Sequence, residues 1–135
     1  MKAALCFFIV SVLISPIELA AQGNIGKGRA GEVAERVRPE VTRRLENSGL
    51  RLGAPVFVRI FKEERALEIW LERKNGRFSL FETYPICDFS GDLGPKVKEG
   101  DEQSPEGFYF VTPASLNPWS AFHLSFNLGY PNRYE

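Results

Sequence analysis

A mainly β domain preceded by a short helical segment is the fold class that this 135-residue sequence predicts. Three observations predict it. Apolar residues recur at helical spacing from Ala30 to Leu45, and that periodicity changes after Gly53-Ala54-Pro55. Runs rich in β-branched and aromatic residues then follow one another, two of them flanking the pair Asn75-Gly76. A dense aromatic run, Phe108-Tyr109-Phe110-Val111, and an alternating segment, Phe122 to Leu128, complete the pattern.

The first residues read as a processing segment rather than as part of the fold. Lys2 gives a positive start, Ala3 to Ile14 is apolar except at Ser11, and Pro16 closes the run. Leu19-Ala20-Ala21 offers small residues for cleavage before Gln22. The run is shorter than the roughly 18 apolar residues that a spanning helix needs, so a cleaved secretory signal over residues 1–21 is expected. An uncleaved anchor is the alternative. Export to the periplasm or cell envelope follows from the signal, with no membrane association after cleavage. Cleavage removes Cys6 and leaves Cys87 alone, so no intrachain disulfide is available. A lone thiol in an oxidising compartment is buried, paired with another molecule, or functional.

Residues 22–53 read as a linker and an amphipathic helix. Gln22 to Arg29 is polar and glycine-rich. Ala30, Val33, Ala34, Val37, Val41 and Leu45 form one face, with Glu32, Glu35, Arg36, Arg43 and Arg44 on the other. Pro39 predicts a kink or a split into two short helices, and Asn47-Ser48-Gly49 a C-terminal stop.

The β region occupies residues 54–135. Val56–Phe61, Ala66–Glu72 and Arg77–Tyr84 are predicted strands, the first two linked by the charged Lys62 to Arg65. Lys74-Asn75-Gly76 predicts a type I′ hairpin turn, and Pro85 marks an edge or a bulge. Phe89 to Gln103 carries Gly91, Gly94 and Gly100 without periodicity, a loop length that is uncommon and often functional. Ser104-Pro105-Glu106-Gly107 reads as a tight turn feeding the aromatic strand, because Pro105 fixes φ and Gly107 tolerates positive φ. Thr112 to Ser120 reads as irregular. In the strand from Phe122 to Leu128, Phe122, Leu124, Phe126 and Leu128 share one face and His123, Ser125 and Asn127 the other.

The chemical inventory is small. Hydrophobic content of 44% with 25% charged residues is ordinary globular composition, and net charge is zero. The leader holds one Lys and one Glu, so its removal leaves the charge at zero, which gives no electrostatic footprint for nucleic acid or anionic lipid. One His and one Cys beyond the leader give no HExxH, CxxC or phosphate-loop pattern, so neither a metal nor another cofactor is expected. Glu99, Asp101 and Glu102 read as a solvated loop. Cys87 and His123 are compatible with a thiolate–imidazole pair, in which His123 acts as base. The favoured reading of Cys87 in its Tyr-Pro-Ile-Cys setting is a small buried hydrophobe, and His123 reads equally as a half-exposed strand histidine.

Three blocks of the sequence carry a family resemblance. They are RIFKEERALEIWLERKNGRFSLFETYPICDFSG, GPKVKEGDEQSPEGFYFVTP and NPWSAFHLSFNLGYPN. Together they resemble the YkuD-type L,D-transpeptidases in their murein-directed branch, through the opening hairpin, the Pro-x-Gly turn at Pro105 and Gly107, and the strand before the active-site loop. The resemblance implies a β domain acting on peptidoglycan stem peptides, with a cysteine attacking the carbonyl of the L-centre of meso-diaminopimelate. A histidine activates that thiol and backbone N–H groups hold the oxyanion. The acyl group passes to another stem, to an envelope lipoprotein lysine, or to water.

The family's nucleophile lies in a His-Gly … Ser-x-Gly-Cys motif that does not occur between Met1 and Glu135. Cys87 and His123 fall in earlier strands and do not inherit those roles, so no catalytic residue is assigned. The chain is expected to hold the N-terminal portion of the catalytic domain, an incomplete β-fold without independent activity. Lys98 to Gly107, with Glu106 and Gly107 foremost, and His123 are the expected substrate-binding residues. A non-catalytic peptidoglycan-binding module, or a decayed enzyme, is the alternative function.

Overall fold

A computed structural model of the chain describes residues 29–117, 119–121 and 125–133. The leader and most of the linker lie outside these residues. The described architecture is mainly β with one N-terminal helix: α1 (Arg29–Asn47), β1 (Val56–Phe61), β2 (Ala66–Glu72), β3 (Phe78–Pro85), a 3-10 turn (Pro113–Ser115), β4 (Leu116–Asn117) and β5 (Ser125–Phe126). No described helix is long and apolar enough to cross a membrane.

The helix is single, and Pro39 does not split it. Pro39 has no N–H for the Glu35 carbonyl. It lies on the exposed side, where water can take that acceptor, while the inward residues Val41 and Leu45 continue past it. Glu32 in the first turn and Arg44 in the last suit the helix dipole. The helix stops as its sequence predicts. Gly49 adopts φ 66°, its N–H donates to the Glu46 carbonyl at 2.9 Å, and the Leu50 N–H donates to the Leu45 carbonyl at 2.8 Å. That is a Schellman closure, and Leu45 and Leu50 supply the apolar contact that accompanies it.

The three main strands form an antiparallel sheet in the order β1-β2-β3, with Val58 opposite Ile69 and Leu67 opposite Tyr84. A bulge between Ile69 and Trp70 shifts the second ladder. The β2–β3 connection is not the type I′ turn expected. Gly76 alone has positive φ there, and its N–H donates to the Arg73 carbonyl at 3.0 Å. Lys74 and Asn75 therefore form a type I turn closed by a left-handed glycine. The Asn75 side chain, rather than its φ, serves the turn by accepting from the Arg77 N–H at 3.1 Å.

One face of the sheet carries two small cores. Leu45, Leu50, Ala54 and Leu71 are buried together, with Val41, Val56, Ile69 and Phe81 against them. Tyr109 and Val111 form the second, packed by Val58, Ile60, Leu128 and Tyr130. Each fully buried side chain of this size contributes roughly 1.5–3 kcal/mol. The segment from Phe108 to Val111 keeps the predicted alternation, with Tyr109 1% and Phe110 59% exposed, but joins no sheet among the described residues. It lies across the β1 face through the burial of Tyr109 and Val111, and the Asn132 side chain donates to the Phe108 carbonyl at 3.1 Å. The segment after Thr112 is more ordered than expected, because Leu116 pairs with Phe126 and Asn117 with Ser125. Phe126 is exposed whereas Leu128 packs in the second core, so these two do not share a buried face.

Candidate functional site

The site begins at Lys62, a residue whose position in the sequence suggests a solvated hairpin. Val58, Ile60 and Lys62 share one parity along β1, and Lys62 follows the two apolar residues inward to 6% exposure. A buried ammonium needs acceptors. Lys62 Nζ donates to the Gly94 carbonyl at 2.9 Å, the Asp92 carbonyl at 3.3 Å and Oε1 of Glu106 at 2.9 Å. Glu106 Oε1 also accepts from the Gly94 N–H at 3.0 Å, while Oε2 is buried with no hydrogen-bond partner. One ion pair thus joins the end of β1, the glycine loop and the approach to Tyr109.

The loop is fixed at further points. Ser104 donates to the Ser90 carbonyl from both its N–H, at 2.9 Å, and its hydroxyl, at 3.0 Å. Gln103 Oε1 accepts from the Asp92 N–H at 2.7 Å. Gly91, at φ 77°, makes room for that amide, since a Cβ there would lie 1.8 Å from Gln103 Oε1. Asp101 is not the solvated charge that its neighbours Glu99 and Glu102 suggest. Its carboxylate accepts from Lys96 Nζ at 2.5 Å and from the N–H groups of Val97, Lys98 and Gln103 at 2.8, 3.0 and 3.1 Å. The Lys96 hydrogen bond, aided by these N–H donors against some desolvation, holds the Asp101 carboxyl far below the usual carboxylate range.

Beside this loop lies a cleft of about 770 Å³, a volume in the range of small-ligand sites. Residues 95–99 and Glu106 line it together with Tyr130 and Pro131. The Tyr130 hydroxyl donates to the Lys96 carbonyl at 3.3 Å, and Lys96 Nζ stands 5.6 Å from the centre of the Tyr130 ring. A smaller cleft of about 390 Å³ lies at the opposite end of the sheet, among Gly49, Leu50 and the charged residues Arg51, Glu72 and Arg73.

Of the residues expected to bind substrate, Glu106 lines the larger cleft, although its carboxylate is 4% exposed and engaged with Lys62. Lys98 and Glu99 line the cleft as well. Gly107, at φ 152°, sits between Glu106 and the buried Tyr109 and does not line it. Ser104 to Gly107 forms no hydrogen-bonded turn; Ser104 is tied to Ser90 instead. His123 lies outside the described residues, and with it one half of the alternative Cys87–His123 pair. Cys87 is exposed at the end of β3 rather than buried, with its carbonyl accepting from Arg65 at 2.9 Å. Among the described residues no group of three or more His, Cys, Asp or Glu side chains is placed to hold a metal ion.

Comparison with known proteins gives two related matches. The chain is 44% identical over 84 residues to the protein named "Putative L,D-transpeptidase YafK" of Escherichia coli strain K12, and equally to its counterpart in Escherichia coli O157:H7. The match covers 62% of this chain and 34% of each relative, so the chain spans about a third of the length of the curated relatives it matches. No family model matches, and no solved structure matches. Over those 84 residues the chain is homologous to YafK, consistent with the murein-directed L,D-transpeptidase branch that its Pro-x-Gly region resembles.

Proposed function

We propose that this chain is an exported, L,D-transpeptidase-like protein of the peptidoglycan, and that its described part recognises stem peptides. The homology to YafK carries the reading. The chemistry of such a protein is cysteine acyl transfer at the L-centre of meso-diaminopimelate, with a second stem, a lipoprotein lysine or water as acceptor. Within this sequence the Ser-x-Gly-Cys nucleophile motif does not occur, so recognition is the role assigned to its residues. The cleft beside residues 95–99 supports that role, because hydrogen bonds hold its walls before any ligand arrives. Preorganisation of this kind lowers the entropic cost of binding.

The test uses the folded chain with isolated sacculi. Saturable retention on the sacculi with an unchanged muropeptide profile is the expected outcome. Absence of retention overturns the recognition role, and an altered profile places the chemistry, as well as the binding, within these residues. Replacing Cys87 by Ser then decides whether that exposed thiol is the nucleophile.

A further inference from the structure

We propose that the face of the three-stranded sheet turned away from the helix is a stacking platform for an uncharged glycan. The inference rests on the peptidoglycan reading for the natural source of such a chain, and on the face alone for the class of ligand.

The register gives the sheet two faces. Val56, Val58, Ile60, Ile69 and Leu71 point to the two cores, so α1 and the segment from Phe108 to Val111 lie on that side. Phe57, Arg59 and Phe61 of β1 point the other way, with Trp70 opposite Phe57 and Glu68 opposite Arg59. On β3, Leu80 stands opposite Trp70 and Phe78 opposite Glu72. The Phe57 and Phe78 rings meet edge to face at 5.9 Å across β2. The Arg59 guanidinium lies 4.7 Å from the centre of the Phe61 ring and 5.5 Å from that of Trp70. Glu68 closes the layer, its Oε2 standing 3.4 Å from Arg59 Nη1 and accepting from the Trp70 indole N–H at 2.8 Å. Among the described residues, every side-chain hydrogen bond, ion pair and ring contact of this layer is made within it.

Three properties of the layer select its partner. Its two charges cancel, because Arg59 and Glu68 face each other, so a phosphate chain or an acidic peptide would leave its own charge uncompensated. Its extent is small. Three strands about 4.8 Å apart, each with about six residues rising 3.4 Å, present roughly 300 Å². A stable protein interface buries about 800 Å² per partner, so a second copy of the chain is a poor occupant and a slender chain a good one. The layer also joins apolar rings to unspent polar capacity. Arg59 Nε is buried with no hydrogen-bond partner, and its 3.4 Å contact through Nη1 is too long to saturate the guanidinium. A sugar ring has the matching two-sidedness: its axial C–H groups pack on aromatic rings, while hydroxyl and acetamido groups at its rim both donate and accept. Leu80, 46% exposed, marks where the layer is open to it. So shallow a contact adds to stem recognition rather than replacing it.

The experiment is an NMR titration of the folded chain with chitohexaose, an uncharged N-acetylglucosamine oligomer that carries no peptide. Shifts are expected at the Trp70 indole N–H and at the amides of Phe57 and Leu80, and not along α1. Leu80→Lys should bind about fivefold more weakly, the effect of losing roughly half of a buried leucine's apolar contact. Leu80→Trp, which widens the layer, should bind more tightly, a gain that misfolding does not mimic. Phe110→Asp replaces an apolar side chain at least as exposed, but outside this face, and should bind as the wild type does. No shifts on this face, an affinity unmoved by the two Leu80 variants, or equal weakening in Phe110→Asp would overturn the proposal. Retention on sacculi without chitohexaose binding removes the platform and leaves the peptidoglycan reading intact. Chitohexaose binding without retention does the reverse.

Discussion

The ammonium of Lys62 meets Glu106, 44 residues further along the chain, at 2.9 Å and almost out of reach of water. Neither residue would be comfortable there alone. Desolvating each charge is costly, and their attraction offsets that cost only while the partner carbonyls of Asp92 and Gly94 and the Gly94 N–H stay in place. The pair therefore fixes the loop that walls the cleft as much as it stabilises the domain.

Removing one partner should expose this dependence. Lys62→Met leaves an uncompensated buried carboxylate and is expected to destabilise the domain by about 3–5 kcal/mol, read as a lower denaturant midpoint. The double variant Lys62→Met with Glu106→Leu should recover most of that loss. A double variant as unstable as the single one would show that the pair's geometry, rather than its charge, holds the loop.

Much of this architecture is legible in the sequence, and the exceptions share a cause. The three main strands and the helix stop are set by local periodicity and by Gly49, so they can be read residue by residue. The partner of Phe108 to Val111 cannot be, because alternation shows that Tyr109 and Val111 are buried but not whether a neighbouring strand bonds their backbone. Lys62 continues the inward parity of Val58 and Ile60, a signal outweighed at first sight by the charged residues after it. Asp101 resembles Glu99 and Glu102 in composition; only the folded loop separates a four-fold acceptor from its solvated neighbours. β5 lies inside the alternating run from Phe122 to Leu128, whereas its partner β4, Leu116–Asn117, leaves no period of its own.

Gly91 should tolerate no side chain. Its φ of 77° disfavours L residues, and a Cβ would also lie 2.9 Å from the Glu102 carbonyl oxygen. Gly91→Val is expected to cost about 1–3 kcal/mol and to release the contact of Gln103 with the Asp92 N–H. Thermal unfolding and amide exchange at Asp92 measure the two effects, and wild-type values for both would contradict this account.

Acid should open the loop before it unfolds the sheet. The Asp101 carboxyl is depressed in the folded state, chiefly by Lys96, so its contribution is fully present above the unfolded aspartate pKa of about 3.9. It is lost as pH falls below that value towards the folded one. Glu82, depressed mainly by its hydrogen bond to Arg44, acts in the same direction between helix and sheet. Protection of the Val97 and Lys98 amides, measured against their intrinsic exchange rates at each pH, should fall below about pH 4 in the wild type. In Asp101→Asn that protection should already be low at neutral pH and change little with acid.

Tyr109 anchors the second core, where its side chain is 1% exposed. Tyr109→Ala is expected to cost about 3–5 kcal/mol and to free Phe108 to Val111 from the β1 face. Limited proteolysis after Phe108 or Phe110 would report the release. A variant that stays resistant would mean that backbone bonds, not Tyr109, hold this segment.

The most direct test of the central claim is competition between sacculi and a soluble stem. The folded chain is sedimented with isolated sacculi at physiological ionic strength while the diaminopimelate tripeptide is raised. The account predicts saturable retention that the tripeptide displaces. Retention that no concentration of tripeptide relieves, or no retention at all, would contradict it.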